Sequence, residues 1–328
     1  MKTSCHILGM GTYVPSRILT NADIATFVET TNEWITSRTG ISQRHVLAEG
    51  ENTSDAGLAA AQAALAESGL QASDLTHVFV ATCTPDALCP SVACIVAGKL
   101  GCGPVMALDF NAACSGFLYG LSLVQGIISA QPHAKILLLC AEGLTRRVNW
   151  QDRATCVLFG DGAGAVVISG DKTHSKGLLE DVACASDGTL QHLITIGGGT
   201  AKSYKPGDPV TEDFFVQMQG REVFKHAVRN MTAVCLDLLK KNTLSIADVD
   251  LLVPHQANMR IIEAVGSRLE IAPDHVFTNV QNYGNTSSAS VPIALVDARA
   301  QGRIGTGSLV LMTSFGSGLT WGAALIRF

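Results

Sequence analysis

The chain has 328 residues, 47% of them hydrophobic and 16% charged, with a formal net charge of −5. That length can hold two core-bearing halves, that balance fits a heavily buried α/β protein, and the negative charge gives no reason to expect nucleic acid. Ten cysteines without a Cys-x-x-Cys pair argue against a metal site and a disulfide framework; the lack of a signal-peptide pattern, or of any apolar run near the roughly 18 residues of a membrane span, points to the cytoplasm and no membrane.

In chain order, Gly9-Met-Gly11 lacks the third glycine of a dinucleotide fingerprint and reads as a turn after a first strand. Residues 59–65 lie in an amphipathic helix, 75–79 in a strand after an acidic turn, 105–110 in a short buried strand and 117–128 in an apolar helix. Cys114, in Asn111-Ala-Ala-Cys114-Ser-Gly-Phe117, therefore falls at a strand-to-helix turn. Unpaired N–H groups and the positive end of the helix dipole there favour thiolate over thiol, and the same N–H groups can receive an oxyanion. A buried structural cysteine is the competing reading, and for Cys114 alone the two balance. Gly197-Gly-Gly199 reads as a flexible loop, and Arg221, Lys225 and Arg229 form an i, i+4, i+8 stripe on a helix. The apolar run 251–254 places His255 of Pro254-His255-Gln256-Ala-Asn258 at a strand end before a helix over 259–269. Asn285, in Gly284-Asn285-Thr-Ser-Ser-Ala-Ser290, precedes a Thr-Ser-Ser cluster that opens another helix. His255 as a structural hydrogen-bonding residue and Asn285 as a turn or cap residue are respectable readings singly; all three bland readings together are less so.

The chain also repeats itself. The runs at 135–139 and 309–313 are 309 − 135 = 174 positions apart, and the same offset carries 59–65 onto 233–239, 75–79 onto 249–253 and Cys114 onto Ser288. Phe159-Gly matches Phe315-Gly at an offset of 156, which implies about 18 extra residues near 141–158 in the first half. One offset serving four elements supports duplication, with halves at 1–174 and 175–328. Alternating helices and strands in each half imply a mostly parallel sheet, with two related halves packed about a pseudo-two-fold axis. Ala112, Gly116 and Gly120, spaced by four, would let the two central helices approach closely.

Cys, His and Asn suit a decarboxylative condensation. Attack on an acyl thioester needs a nucleophile and an oxyanion hole; loss of CO2 from a malonyl thioester leaves an enolate oxygen that needs donors in a dry site. A His Nε2–H and an Asn NH2 are two such donors, provided the imidazole holds the right tautomer. A carboxylate there would repel the enolate, and none occurs within the three motifs.

These motifs, with Phe159-Gly-Asp-Gly-Ala-Gly164 and Ser314-Phe-Gly-Ser-Gly-Leu-Thr-Trp-Gly322, resemble β-ketoacyl-acyl-carrier-protein synthase III over essentially the whole chain. The resemblance implies a thiolase-like layered αβαβα fold, a homodimer, and initiation of type II fatty acid synthesis. The reaction would condense an acyl-CoA primer with malonyl-acyl-carrier protein through an acyl-Cys114 thioester. Cys114 is then the nucleophile, His255 and Asn285 the decarboxylation pair, and the N–H groups of Cys114 and Gly318 the oxyanion hole. No cofactor is expected, since acyl-CoA is a substrate.

Thr30-Thr-Asn-Glu-Trp34-Ile-Thr-Ser-Arg38 resembles the family's nucleotide-binding segment, with an adenine held between Trp34 and Arg153, Arg38 on a phosphate and Asn258 in the same site. The resemblance places Cys89 where a dimer partner's residue, often phenylalanine, limits the acyl pocket, with Phe159, Leu190 and Leu193 able to close it from within. A thiol there predicts tolerance of primers longer than acetyl. Lys225, Arg260 and Arg268 match basic positions for carrier-protein docking, whereas Arg229 reads as a solvated face. The rivals are a synthase III relative with an unusual primer or acceptor in secondary metabolism and, more remotely, a cysteine hydrolase. A thiolase would need a second catalytic cysteine near the C-terminus, and none follows Cys235.

Overall fold

The computed structural model describes residues 4–200 and 207–328. Its elements run β1 (Cys5–Tyr13), β2 (Arg17–Thr20), α1 (Asn21–Ile24), α2 (Asn32–Thr39), β3 (Gln43–Val46), α3 (Thr53–Ser68), β4 (His77–Ala81), α4 (Val92–Leu100), β5 (Met106–Phe110), α5 (Gly116–Ala130), β6 (Lys135–Glu142) and β7 (Gly162–Ser169). They continue as β8 (Gly177–Ser186), β9 (Ile194–Thr195), β10 (Gln217–Met218), α6 (Gly220–Lys241), β11 (Leu251–Pro254), α7 (Met259–Arg268), α8 (Val280–Tyr283), α9 (Ser290–Ala300), β12 (Leu309–Gly316) and β13 (Thr320–Arg327).

Nine strands join in the order β11-β12-β13-β8-β1-β7-β6-β4-β5. Side-chain alternation along them builds a layered α/β fold. On β6, Leu137 and Leu139 face a cluster with Ala-rich α3 and with α4, while Ile136, Leu138 and Cys140 face the centre. On β12, Leu309 and Leu311 pack with α6 and α7, while Val310 and Met312 face the same centre. That centre is filled by α5 and α9, so the layers run helix, sheet, helix, sheet, helix.

The pairing is mixed rather than mostly parallel. Among the described residues of the nine-stranded sheet, β4–β5, β4–β6 and β11–β12 are parallel, whereas β1–β7, β1–β8, β6–β7, β8–β13 and β12–β13 are antiparallel. Just Ser317, Gly318 and Leu319 separate β12 from β13, too short a return for a parallel neighbour. The corresponding return from β6 to β7 takes residues 143–161, where the repeat offset changes. Elements 174 positions apart take matching places, β4 with β11 and β6 with β12. At that spacing, Ala113 (φ 48) and Ser287 (φ 50) both adopt left-handed backbone.

Four further expectations are revised. Gly9 and Gly11 lie inside β1, not in a turn: a Cβ on Gly9 would sit 2.3 Å from Ala64 O, so their smallness lets α3 lie against the strand. The 105–110 strand is the sheet edge rather than buried, with Met106 52% exposed. Ala113–Ala130 is long and apolar enough by composition to cross a membrane, contrary to the reading of the apolar runs; here Phe117, Leu118, Leu121, Val124 and Ile128 are core residues between the sheet layers. Of the small residues, Gly116 does approach the second central helix, its Cβ position lying 3.0 Å from Ser288 Cβ, but Gly120 faces Leu138 on β6.

Candidate active site

Cys114 follows edge strand β5 through a short turn and opens α5. Asn111 Oδ1 accepts from the Ala113 N–H at 3.0 Å, which stabilises the left-handed Ala113 that turns the chain. Opposite lies β12: a Cβ on Gly316 would sit 2.6 Å from the Cys114 nitrogen, so only glycine permits this approach.

His255 continues from buried β11, its N–H donating to Thr313 O at 2.8 Å. Its Nδ1 lies 2.5 Å from Ser290 Oγ, which accepts from the Gln256 N–H at 3.4 Å. A Ser290 hydroxyl that donates to Nδ1 is the arrangement that puts the ring proton on Nε2. Burial pushes the imidazole down to about 3, so His255 is neutral near neutrality. Asn285 is pinned by its N–H to Leu158 O at 2.8 Å and by its carbonyl, which accepts from Gly160 at 3.1 Å. Its Oδ1 accepts from the Ser287 N–H at 2.8 Å. A backbone N–H can only donate, so the amide orientation is determined and the NH2 remains available.

The cysteine departs from expectation. Burial pushes the Cys114 thiol up to about 12, the Ser287 hydroxyl opposes the shift, and the Glu142 carboxylate adds to it. Desolvation of the anion works against what the helix terminus offers and favours the thiol. Glu142 is also the carboxylate that the motifs lack. It ends β6, is fully buried, and accepts from Thr84 Oγ1 at 2.7 Å, Ser288 Oγ at 2.8 Å, the Cys83 N–H at 3.1 Å and Cys83 Sγ and Thr82 Oγ1 at 3.3 Å.

Two cavities meet at Cys114. The larger, about 580 Å³, is lined by Cys114, His255, Asn285 and Phe159 and also by Trp34, Arg38, Asn258, Lys225 and Arg260. The smaller, about 320 Å³, is lined by Cys114, Phe159, Gly318, Cys83 and Ser287 and walled by Leu144, Ile194, Ile196 and Val216. Thr30, Arg153, Arg268, Leu190 and Cys89 line neither. Leu190 and Leu193 instead pack in the outer cluster with α6, since they precede the ribbon strand β9 whose Ile194 takes the wall position. Cys89 is exposed on the loop after β4. Arg153 and Arg38 each place Cζ 4.7 Å from the Trp34 ring centroid, so a base between Trp34 and Arg153 would have to part them.

Sequence reasoning missed Ser290, Ser287, Glu142, Cys83 and the walls Leu144, Ile194, Ile196 and Val216. Ser287 and Ser290 lie within the Asn285 motif and their hydroxyls were legible as candidates; the others carry no local signal. Arg147 bridges the segment that supplies these walls: its Nε donates to Phe214 O at 3.0 Å and its Nη2 to Gly197 O at 2.5 Å, so the glycine run at 197–199 is held at its first residue. Among the described residues no group of three or more His, Cys, Asp or Glu side chains could hold a metal ion.

Comparison with known proteins agrees with this geometry. The 3-oxoacyl-(acyl-carrier-protein) synthase III model matches residues 108–188, which contain Cys114, and the model of that synthase's C-terminal part matches 239–328, which contain His255 and Asn285. A β-ketoacyl-(acyl-carrier-protein) synthase III of Nitratidesulfovibrio vulgaris is 63% identical over 330 residues, covering 100% of both chains. The crystal structure of 3-oxoacyl-(acyl-carrier-protein) synthase III from Aquifex aeolicus superposes with a TM-score of 0.91 at 41% identity, covering 99% of this chain and 100% of that one. The priming β-ketosynthase of the R1128 polyketide pathway matches at 31% identity and a TM-score of 0.92, covering 100% of this chain and 97% of that one. The chain belongs to the 3-oxoacyl-(acyl-carrier-protein) synthase III family and is a condensing acyltransferase of fatty acid biosynthesis.

Proposed function

We propose that the enzyme transfers the acyl group of an acyl-CoA to Cys114 and condenses it with malonyl-acyl-carrier protein, releasing CoA and CO2 and forming β-ketoacyl-acyl-carrier protein. The carrying observation is that one cavity is lined by Trp34 and Arg38 at the nucleotide segment and by Cys114, His255 and Asn285. In the first half-reaction the Cys114 sulfur attacks the thioester carbonyl, and the oxyanion is received by the N–H groups of Cys114 and Gly318. The acyl chain then extends into the apolar inner cavity, where each buried methylene gains about 0.8 kcal/mol, so primers longer than acetyl are accommodated. In the second half-reaction the malonyl thioester loses CO2, and His255 Nε2–H and the Asn285 NH2 hold the enolate oxygen while its carbon attacks acyl-Cys114. Both donors are neutral, so neither titrates away near neutrality.

CoA contacts are assigned to Thr30, Trp34, Arg38, Arg153 and Asn258, with Arg153 swinging off Trp34 to admit the base. Lys225, Arg260 and Arg268, all exposed on α6 and α7, are assigned to the acidic carrier protein. No cofactor takes part, the setting is the cytoplasm, and the two halves divide at 174/175, between β7 and β8. The working unit is a homodimer joined through β5, which brings Cys89 of one protomer to the acyl pocket of the other.

Intact-protein mass spectrometry after incubation with acyl-CoA tests this reading. A stoichiometric adduct should form on Cys114 and vanish in Cys114→Ala. His255→Ala and Asn285→Ala should lose condensation by at least the roughly 10²-fold expected of an oxyanion donor, while Cys114 acylation survives better. Equal loss of both half-reactions in both variants refutes the division of labour.

A further inference from the structure

In the proposed function, on which this inference rests, the acyl chain runs into the inner cavity, whose apolar wall lies outside the nine-stranded sheet. Leu144 stands on a short helical turn, Leu144–Arg147, while Ile194, Ile196 and Val216 come from the two-stranded ribbon β9–β10 and the residues beside it. A ribbon of two residues per strand has little stability of its own, so its place over the cavity depends on what ties it down.

At its base the Ser317 hydroxyl, in the return between β12 and β13, donates to Ile194 O at 2.6 Å, and the Gln219 N–H closes one arm on Leu193 O at 2.9 Å. Further along, the ribbon is tied to the helical turn by Arg147. Its Nε donates to Phe214 O at 3.0 Å, its Nη2 donates to Gly197 O at 2.5 Å, and its Cζ sits 4.0 Å from the Phe214 ring centroid. Its backbone carbonyl accepts from the Val216 N–H at 2.8 Å. One residue thus holds both arms beside the wall: Gly197 directly follows Ile196, and Phe214 stands just before Val216. Gly197 is bare where the arms meet, since a Cβ there would lie 2.3 Å from Asp213 O, which accepts from the Gly197 N–H at 2.6 Å. Leu144, Ile196 and Val216 belong to one apolar cluster with Phe159, so turn and ribbon close the cavity together.

We infer that Arg147 is a positioning residue that sets how long an acyl primer the enzyme accepts. It lines neither cavity and acts through Ile196. The guanidinium presents its donors in a rigid planar fork, so two carbonyls from different arms are held at a fixed spacing. Without the side chain, the bond from the Val216 N–H to the Arg147 carbonyl remains, because it is backbone. The Ile196 arm, in contrast, loses its tie to the turn. The cavity then opens at Ile196, and the substrates that gain are longer straight-chain acyl thioesters, whose terminal methylenes this wall excludes.

Single-turnover acylation of Cys114 by acetyl-, butyryl- and octanoyl-CoA, read by intact mass, gives a chain-length ratio for each protein. Arg147→Ala should raise the octanoyl-to-acetyl ratio about tenfold, the low end of what a methylene is worth in an apolar pocket, with the acetyl rate unchanged. A residue that only held up the fold would lower all three rates together and leave the ratio where it was. A double-variant cycle tests the route through Ile196. Ile196→Ala should raise the same ratio, and combining it with Arg147→Ala should do no more than the larger single change, because both open one wall. Val216→Ala, at a position whose bond to Arg147 is backbone, should instead multiply with Arg147→Ala.

A ratio that stays unchanged in Arg147→Ala, or moves toward acetyl, overturns the assignment, as does full multiplication of the Arg147 and Ile196 effects. Should Arg147→Ala fail to fold, Phe214→Leu decides: it takes the ring from beside the guanidinium, keeps the carbonyl, and must move the ratio in the same direction. If wild type acquires no acyl group on Cys114 from any of the three thioesters, the functional reading itself fails, a distinct outcome.

Discussion

At the residue scale, electrostatics of burial governs Cys114 and His255, and in opposite directions. Burial favours the thiol form of Cys114 and the neutral imidazole of His255, because desolvation penalises either ion. For His255 the sign is fixed by a folded pKa of about 3 against 6.5 when unfolded. Between those values the unfolded chain binds a proton that the folded chain refuses, so stability falls as pH drops below 6.5 and the loss saturates near 3. Calorimetry should show a falling Tm on acidification across that window, and His255→Asn should flatten part of the fall. An unchanged acid slope in the variant would mean that the imidazole is not the buried neutral group. Ser290 belongs to the same argument: Ser290→Ala frees Nδ1, lets the ring adopt either tautomer, and should lower decarboxylation while sparing Cys114 acylation.

At the element scale, helix α5 is apolar enough to be mistaken for a membrane span, yet its sequence records a different constraint. Gly116 and Gly120 stand where a side chain would strike Ala81 at 2.7 Å and Leu138 at 2.4 Å, so the helix lies against both β4 and β6 only because these positions are bare. Gly120→Ala should cost about 1–3 kcal/mol through overpacking, despite alanine's better helix propensity. A Tm lowered by several degrees would be read by thermal denaturation; a neutral or raised Tm would mean that Leu138 and Phe110 yield freely. The left-handed turns before α5 and α9 obey a related logic. Ala113 and Ser287 reverse the chain at equivalent places, which brings the thiol of one half and the hydroxyl of the other to one cavity.

At the scale of the whole molecule, β5 leaves one end of the nine-stranded sheet open. Met106 on this strand is 52% exposed, and Leu88 on the loop after β4 is 86% exposed. Such an edge is blunted in soluble proteins by charge, by cover or by a second copy, and this one carries neither of the first two on its apolar positions. Light scattering after gel filtration should give a dimer for wild type and a monomer for Met106→Glu combined with Leu88→Asp. A dimer that persists, or a wild-type monomer, would move the interface elsewhere. In the proposed dimer Cys89 would be a pocket residue only in trans. Cys89→Phe should therefore shift the acyl-CoA chain-length profile toward shorter primers, and an unshifted profile would show that Leu144, Ile194, Ile196 and Val216 set the length alone.

The division between what was legible and what was not follows the range of the interactions. Cys114, His255 and Asn285 could be singled out because each is displayed by its own neighbours: a strand end, a turn and a helix start within a few residues. The helices over α3, α5, α6 and α7 and the buried strands β6 and β12 were likewise written in local periodicity, and the 174-residue offset needed only self-comparison. Strand direction was not, because antiparallel pairing of β6 with β7 depends on how residues 143–161 return rather than on the strands themselves. Nor was the thiol's protonation. Helix-terminus reasoning is local and favours thiolate, but desolvation and the Glu142 carboxylate come from residues distant in sequence and favour thiol. Glu142 reaches Ser288 across 146 positions, and Ser287 meets Cys83 across 204. Chemistry that one segment displays can be read from that segment, whereas chemistry that arises where two halves of a duplicated fold touch exists only once the sheet layers have closed on α5 and α9.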